Sequence, residues 1–319
     1  MAFSEEQRTH VAKQLQSHDR NSGIRQIGLR ECTPLELLIE RGVFGSDIMS
    51  SGIYLAQFLH EHQELYARKH VLDMGCGAGT QGIVMAKYGA ETVVLSDINR
   101  RAVANTQKNI EQLAMKNAEV VESDLFASLP QGRTYDVIVF NHPFFSGEPQ
   151  EIKGDDKMLV KSMLGGTELI KRFFSGVSGY MRKNGIIIMP YFHFAGPEND
   201  PANHLKSYNL NCAFEKQIKS EQGLQQGDFS VYVISKEIPE LVRVHAFADF
   251  LDMQIRKEGT QIRAEPKPEL PKRRNASEEE IRKYCGRMHL LGLLAGEVIG
   301  YAKAWGRLAD YFPEMRERK

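Results

Sequence analysis

Short apolar runs alternate with amphipathic stretches between residues 70 and 190. The apolar runs have the length of buried strands, and the stretches between them have the length and spacing of helices. The predicted strands are 70–74, 92–96, 118–122, 135–140 and 185–190, and the predicted helices are 80–88, 99–113 and 166–182. Because strands alternate with helices, the pattern predicts an α/β fold with a parallel sheet covered by helices on both faces.

Two further strands are predicted after this alternation, at 213–218 and 229–235, with a polar, glycine-containing turn between them. Five parallel strands followed by a strand pair differ from the symmetrical six-strand fold that binds dinucleotides. The pattern therefore predicts a Rossmann-like sheet of seven strands, and an antiparallel last strand is what the family resemblance given below implies.

The segment before the first strand, residues 1–66, is predicted to be helical and is a candidate lid over the sheet. Its three predicted helices are 4–20, 34–42 and 48–62. The second of these is predicted to begin at Thr33-Pro34, because proline suits the first position of a helix, and to end at Gly42.

Residues 237–319 lie outside the alternating pattern and are predicted to form a helical C-terminal extension. Three prolines and a basic triplet mark 258–276 as an extended linker. A capping box at Ser277-x-x-Glu280 begins a long helix, in which glycine recurs every four residues along one face. Packing of this face against the chain's own core is the favoured interpretation, and a homodimer through the helix is the alternative.

Composition narrows the class of protein. The chain has 319 residues, 42% of them hydrophobic, and a formal net charge of zero, so charge gives no support for broad nucleic-acid binding. Its four cysteines form no CxxC pair, which predicts free thiols in a reducing, cytoplasmic compartment and no metal site. The charged N-terminus and the lack of an 18-residue apolar run predict neither a signal peptide nor a membrane span.

A glycine-rich loop follows the first strand of the alternating region, in the sequence VLDMGCGAGT. A strand, a glycine loop and a helix place a nucleotide-like ligand at the carboxyl end of a parallel strand. One register of the motif, Gly77-x-Gly79-x-x-Gly82 followed by Asp97, fits the dinucleotide fingerprint. The other register, Asp73-x-Gly75-x-Gly77-x-Gly79, suits an amino-acid-bearing nucleoside, because an aspartate attracts an ammonium group and repels a pyrophosphate. We favour the second register.

Three further polar segments follow successive strands. Asp97-Ile98 follows the second strand, Asp124-Leu125 the third, and Asn141-His142-Pro143-Phe144 the fourth. The carboxyl ends of parallel strands meet at one edge of a sheet, so these side chains are expected to lie around one ligand. For Asp97 and Asp124, a helix cap and a plain turn residue are the alternatives.

With these motifs, the chain resembles class I S-adenosylmethionine-dependent methyltransferases over about residues 30–236, with the cofactor-binding domain at 67–236. It is most similar to the small-domain group that carries the N-P-P-[YF] motif. The resemblance implies that Asp73 and the glycine loop bind the methionine portion of the cofactor. It implies that Asp97 with Ile98 binds the ribose, and that Asp124 with Leu125 binds the adenine.

In the N-P-P-[YF] group, the motif orients a nitrogen whose lone pair is delocalised in a planar group. The resemblance implies that Asn141 and the carbonyl of residue 142 accept the two N–H hydrogens, and that Phe144 stacks on the acceptor. His142 replaces the first proline of the motif. It is expected to be either a base that titrates near the operating pH or a partly exposed loop residue.

The sequence therefore predicts methyl transfer from S-adenosylmethionine to a nitrogen of a small-molecule, protein or nucleotide amine. A second possibility is an enzyme of the same fold that cyclises S-adenosylmethionine itself, like azetidine-2-carboxylate synthases, and releases methylthioadenosine. A third is a cofactor-binding module without catalytic activity, which the full set of strand-end polar residues disfavours.

Overall fold

The structure is a computed structural model, and it describes residues 3–20, 22–30, 32–45, 50–152, 156–220 and 227–237. In chain order, the helices and strands are α1 (Glu5–Arg20), β1 (Gly23–Ile27), β2 (Leu35–Ile39), α2 (Ser50–Glu61), β3 (His70–Met74), α3 (Thr80–Lys87), β4 (Thr92–Asp97), α4 (Arg100–Gln112), β5 (Ala118–Glu122), β6 (Tyr135–Phe140), α5 (Lys157–Lys161), α6 (Gly166–Val177), β7 (Met181–Phe192), β8 (Asn211–Ser220) and β9 (Gly227–Ser235).

Seven strands form one sheet in the order β5-β4-β3-β6-β7-β9-β8. The first five strands in this order run parallel to one another, and β9 is antiparallel to both β7 and β8. The predicted α/β fold, with a seven-strand sheet and an antiparallel last strand, is therefore confirmed.

The centre of the sheet is apolar on both faces. Val71 and Leu72 of β3, and Val137 to Val139 of β6, have no exposed surface, which is typical of a parallel sheet covered on both sides. The chain leads from β3 outward to β4 and β5 and then returns to β6 on the other side. Ligands of open α/β sheets bind outside the carboxyl ends of the strands where the order reverses in this way.

The predicted helix over 34–42 is wrong, because these residues form β2, which pairs with β1 as a separate antiparallel sheet. Along β2, Leu35, Leu37 and Ile39 are buried and Glu36 is exposed. This two-residue period belongs to a strand with one buried face. Proline before the first residue of a strand is as acceptable as proline at the start of a helix, so Thr33-Pro34 does not distinguish the two.

Helix α4 supplies hydrogen-bond partners along the free edge of β2. Asn109 Oδ1 accepts from the Leu38 N–H at 2.8 Å, and Asn105 Oδ1 accepts from the Glu40 N–H at 2.7 Å. The side-chain amides of both asparagines also donate to the Leu38 carbonyl at 2.9 Å. Buried peptide groups need hydrogen-bond partners. The two buried asparagine side chains provide them along this edge of β2, in place of a third strand.

The connection between α6 and β7 also differs from the prediction. Helix α6 ends at Val177 and β7 begins at Met181, so the helix is shorter and the strand longer than predicted. The Tyr135 N–H donates to the Tyr180 carbonyl at 2.7 Å, and Tyr135 pairs with Met181 before the register shifts. The start of β6 thereby draws the residues after α6 into the sheet.

The predicted C-terminal extension, its linker and its glycine-bearing helix lie outside the described residues. The domain boundaries after residues 66 and 236 stay predictions. Among the helices of the described ranges, none combines the length and the apolar character that crossing a membrane requires.

Candidate active site

A cavity of about 440 Å³ opens at the carboxyl ends of β3, β4, β5 and β6. Its volume is in the range of pockets that bind small molecules and cofactors. The predicted site residues that line it are Gly75, Gly77, Asp97, Ile98, Asp124, Leu125, Asn141, His142 and Phe144. Two predicted residues, Asp73 and Gly79, are not among those that line the cavity.

The loop after β3 lies between the cavity and the N-terminal segment. Gly77 has a φ of +56°, and a Cβ there would lie 2.7 Å from the Phe44 carbonyl. That carbonyl accepts from the Ala78 N–H at 3.0 Å. Glycine at this position therefore lets Phe44, which itself lines the cavity, approach the loop closely.

Asp73 lies behind this loop rather than on the cavity wall. It is 1% exposed, and its Oδ2 accepts from the Gly82 N–H at 2.7 Å near the start of α3. Burial raises the pKa of this carboxyl to about 7, the Gly82 N–H opposes the rise, and the charge of Asp97 adds to it. The geometry gives Asp73 a part in holding the loop, and its assignment to the methionine portion of a cofactor stays a prediction.

Gly79 faces α4. A Cβ at this position would lie 2.9 Å from Thr106 Cγ2, and the Thr106 hydroxyl donates to the Gly77 carbonyl at 2.8 Å. Gly79 thus allows the loop to pack on α4, and its direct contact with a cofactor stays a prediction.

Asp97 stands at the end of β4 with both carboxylate oxygens engaged by peptide N–H groups. Oδ2 accepts from Gly77 at 2.9 Å, and Oδ1 accepts from Asn99 at 2.8 Å. Burial raises the pKa of this carboxyl, and the peptide N–H groups of Asn99, Gly77 and Ile98 oppose the rise. Asn99 is the N-cap of α4, since its side chain accepts from the Arg101 N–H at 3.1 Å. The alternative role of Asp97 as the helix cap is therefore wrong.

Asp124 and Leu125 follow β5 in a tight turn. Leu125 has a φ of +50°, which is uncommon for a residue with a side chain, and the Ser123 hydroxyl donates to its carbonyl at 2.7 Å. The Asp124 carboxylate lies half exposed at the cavity wall. The guanidinium of Arg172 on α6 donates to its Oδ2 at 2.8 Å.

Asn141 directly follows β6, the strand beside β3, and lines the cavity. Within the ranges that the structure describes, no hydrogen bond engages its side-chain amide. Polar groups of this kind in a cavity wall are expected to bind a ligand or water.

The loop after Asn141 is joined to the segment before α6 by peptide hydrogen bonds. The Phe145 N–H donates to the Met163 carbonyl at 3.2 Å, and the Gly165 N–H donates to the Phe145 carbonyl at 2.9 Å. The Gly166 N–H donates to the Pro143 carbonyl at 3.2 Å. The loop that carries Phe144 and Phe145, here called the aromatic loop, is therefore fixed to the start of α6.

Asn199, from the loop after β7, secures the same junction. It is 2% exposed, and its Oδ1 accepts from the Thr167 N–H at 3.0 Å and from the Ser146 hydroxyl at 2.6 Å. Its amide donates to the Ala195 carbonyl at 2.8 Å. One buried asparagine thus connects the loops after β6 and β7 with the first turn of α6.

His142 is 2% exposed. Its ring lies 5.1 Å from that of Phe144, 5.7 Å from that of Phe140 and 6.3 Å from that of Tyr191, measured between ring centroids. Burial lowers the pKa of His142 to about 3, with an opposing effect from the Phe140 carbonyl, so the ring is neutral at pH 7. Both expectations for its state, a base that titrates near the operating pH and a partly exposed loop residue, are wrong.

Several cavity residues were not predicted from the sequence. Met158, Lys161 and Met163 come from α5 and the residues after it, and Arg172 comes from α6. Helix α5 has only five residues, which is too short for a periodic signal. Arg172 lies one helical turn from Glu168, which also lines the cavity, but no sequence signal marked either residue.

Comparisons with known proteins give a consistent result. Residues 34–189 match the model of the methyltransferase small domain. A protein of Methanocaldococcus jannaschii, assigned by name as a protein N5-glutamine methyltransferase, is 31% identical over 152 residues, which cover 47% of this chain and 75% of that protein. Ribosomal RNA small subunit methyltransferase C of Hamiltonella defensa is 32% identical over 121 residues, which cover 38% of this chain and 33% of that protein.

Among solved structures, the T. thermophilus 16S rRNA N2 G1207 methyltransferase, in complex with AdoMet and guanosine, aligns with a TM-score of 0.49 and 20% identity. The alignment covers 67% of this chain and 50% of that one.

Proposed function

Because the chain belongs to the class I S-adenosylmethionine-dependent methyltransferases, we propose that it methylates a nitrogen of a planar, conjugated acceptor. The family establishes the enzyme class and the cofactor, which supplies a methyl group activated by a sulfonium. What is proposed here is the acceptor atom and the residues that hold the two reactants.

The part of the cavity formed by the residues after β3, β4 and β5, here called the cofactor half, fits the nucleoside. Asp97 is fixed by two peptide N–H groups, and the remaining lone pairs of its carboxylate accept from the ribose hydroxyls. Asp124 accepts from the exocyclic amine of the adenine, and Ile98 and Leu125 cover the ring. Ile98 is 49% exposed at the cavity, which suits an apolar residue that packs on a ligand.

The part formed by Asn141, the loop after it and α5, here called the acceptor half, receives the methyl acceptor. The single observation that carries the proposal is Asn141, which lines the cavity beside the cofactor half and whose side-chain amide has no hydrogen-bond partner in the described parts of the chain. Its Oδ1 and the carbonyl of residue 142 accept the two N–H hydrogens of the acceptor. This arrangement directs the nitrogen lone pair toward the methyl group.

Catalysis in this site depends mainly on proximity and orientation. Burial lowers the pKa of His142 to about 3, so its neutral ring is only a weak base at pH 7. Holding two reactants in a productive geometry can by itself lower a barrier by roughly 7 to 11 kcal/mol. The acceptor nitrogen would form its bond to the methyl carbon as the bond from that carbon to sulfur breaks, with S-adenosylhomocysteine as the leaving group. The nitrogen would then release one proton to solvent.

The names of the relatives support two candidate classes of acceptor. The carboxamide of glutamine, which the name of the M. jannaschii protein specifies, carries a planar NH₂ beside an electron-withdrawing carbonyl. Exocyclic amines of nucleobases share this feature, and an RNA acceptor is in the name of the H. defensa protein. These names give no support to self-cyclisation of S-adenosylmethionine.

The test replaces Asn141 by alanine. We expect N141A to lower methyl transfer about 100-fold or more and to keep the dissociation constant for S-adenosylhomocysteine within about threefold. Transfer is measured as adenosylhomocysteine formed with a glutamine-containing peptide, with guanosine and adenosine, and with ribosomal RNA as probes. Binding is measured by calorimetry.

Asn203 offers a matched control, because it is an exposed asparagine that donates to the Pro197 carbonyl. N203A should leave both quantities unchanged. Equal rates for N141A and the wild type with an accepted probe would overturn the proposal. Release of methylthioadenosine without any probe would instead revive the self-cyclising alternative.

A further inference from the structure

Arg172 forms an ion pair across the cavity. Its Nη2 donates to Asp124 Oδ2 at 2.8 Å, and both residues line the cavity. The side chains are 57% and 44% exposed, and an ion pair with this exposure contributes little to the stability of a fold. Its place in the cavity wall therefore suggests a role in ligand binding.

The helix that carries Arg172 is held firmly at its start. Residues Gly165, Glu168, Leu169 and Arg172 all line the cavity at helical spacing. The first turn of α6 is fixed by Asn199 and by the hydrogen bonds between its peptide groups and those of the aromatic loop. The guanidinium thus extends from a rigid element rather than from a free surface.

Asp124 is held from its own side by the turn that follows β5. The Ser123 N–H donates to the Asp97 carbonyl at 2.9 Å, and the Ser123 hydroxyl holds Leu125 in its left-handed conformation. Within the described residues, Arg172 is the hydrogen-bond donor to the Asp124 carboxylate, through Oδ2 alone. Oδ1 is left as an acceptor.

We propose that Arg172 is a positioning residue for recognition of the adenine. By engaging Oδ2, it fixes the rotation of the Asp124 carboxylate, so that Oδ1 accepts from the exocyclic amine of the base. Arginine suits this task, because its planar guanidinium has fixed donor directions and does not lose its proton. The inference rests on the proposed role of Asp124. It adds that the selection of an amino over an oxo group depends on α6.

The test compares S-adenosylhomocysteine with S-inosylhomocysteine, in which an oxygen replaces the exocyclic amine. We expect R172M to weaken S-adenosylhomocysteine about tenfold, and to weaken the inosyl analogue less than about twofold. R172K keeps the charge but not the fork of donors, and should lie between R172M and the wild type. Calorimetry gives all dissociation constants, and thermal melting checks the fold of each variant.

Two controls separate positioning from a general structural effect. Lys171, the neighbouring cation on α6, pairs with Glu168 at 3.2 Å, and K171M should change neither dissociation constant. In a D124N background, R172M should have less than about a twofold further effect, because the two residues act as one unit.

Equal weakening of both nucleosides by R172M would overturn the proposal, as would an undiminished effect in D124N or no effect at all. The binding assay contains no acceptor. Its failure therefore leaves the proposal for Asn141 standing, and a failure of the N141A experiment leaves this one standing.

Discussion

In the cofactor half, acidic side chains are bonded to the peptide N–H groups of neighbouring loops, whereas in the acceptor half aromatic rings and an asparagine from a distant loop maintain the shape. Asp73 and Asp97 each accept from a glycine N–H of the loop or of the helix after it. Phe144 and His142 instead meet edge to face, and the loop that carries them is joined to α6.

This difference shows how a cavity of this kind can bind the same cofactor while its methyl acceptor changes. Contacts in the cofactor half are hydrogen bonds from peptide N–H groups to aspartates at strand ends, and they follow from the order of the strands. In the acceptor half, peptide hydrogen bonds fix the loop, but the rings and the amide that line the cavity are side chains, which substitutions can exchange without altering the sheet. Binding residues on loops that a rigid scaffold positions are the common arrangement.

The largest effect is expected at Asp97, where an alanine would break the cofactor half. D97A removes the proposed ribose acceptor and leaves the peptide N–H groups of Gly77 and Asn99 without their partner. The two ribose hydroxyls would each lose a charge-assisted hydrogen bond to the carboxylate. This loss corresponds to a dissociation constant for S-adenosylhomocysteine that is about 100-fold higher.

Calorimetry measures this loss, and melting checks that the fold persists. Glu111 on α4 provides a matched acid, because its side chain meets only the exposed Gln107 in the described contacts. E111A should bind like the wild type. Native affinity in D97A would show that the carboxylate does not contact the nucleoside.

The next effect breaks the acceptor half alone. Gly166 has a φ of +46°, and a Cβ there would overlap the Ser146 hydroxyl and lie 2.7 Å from Asn199 Oδ1. G166A should lower the free energy of unfolding by about 2 kcal/mol or more, from strain and from the clash together. Methyl transfer should fall with it, while affinity for S-adenosylhomocysteine changes by about twofold at most.

A substitution at Gly132 separates the effect of backbone strain from that of a steric clash. It also has a positive φ, +77°, but a Cβ at this position would meet nothing within 4 Å. G132A should therefore cost only the conformational strain, about 1 to 2 kcal/mol. Chemical denaturation gives both values, and equal losses in the two variants would contradict the importance of the contacts with Ser146 and Asn199.

The same contrast explains how far the sequence could predict the structure. Asp97 and Asn141 were placed correctly at the cavity, because Asp97 ends β4 and Asn141 directly follows β6 in a parallel sheet. Asp73 lies two residues deeper in the sheet, since it pairs with Leu95 of β4, and it is buried behind its loop. Position near a strand end therefore predicts nearness to a ligand, but the sequence does not show at which level of the sheet each strand ends.

Long-range packing accounts for what the sequence did not reveal. Strand β2 resembles a helix start locally, and its edge is completed by Asn105 and Asn109 of α4. The neutral state of His142 depends on burial among rings that include Tyr191 of β7. Neither partner is close in the sequence, so no local pattern could indicate either outcome.

The smallest effect is predicted for Asp73 and sharpens the comparison. Burial raises the pKa of its carboxyl from the usual 3.8 to about 7. Between about pH 4 and pH 7, this carboxyl is therefore protonated in the folded protein without cofactor and ionised in the unfolded chain. Stability contributed by this group therefore falls as pH rises through that window. The cofactor is a cation, which favours the ionised carboxyl, so its affinity should rise with pH instead.

We expect the affinity for S-adenosylmethionine to increase about fivefold to tenfold between pH 6 and pH 8, with release of a proton near pH 7. Calorimetry in buffers of different ionisation enthalpy measures both quantities. D73N keeps an acceptor for the Gly82 N–H and should make the affinity nearly independent of pH. This variant also distinguishes Asp73 from Asp97, because burial raises the pKa of the Asp97 carboxyl as well. His142, with its pKa of about 3, does not titrate in this range. If the affinity of the wild type did not change with pH, Asp73 would have only the structural role of accepting from the Gly82 N–H of α3. The cofactor half would then be insensitive to the charge of its ligand at this position.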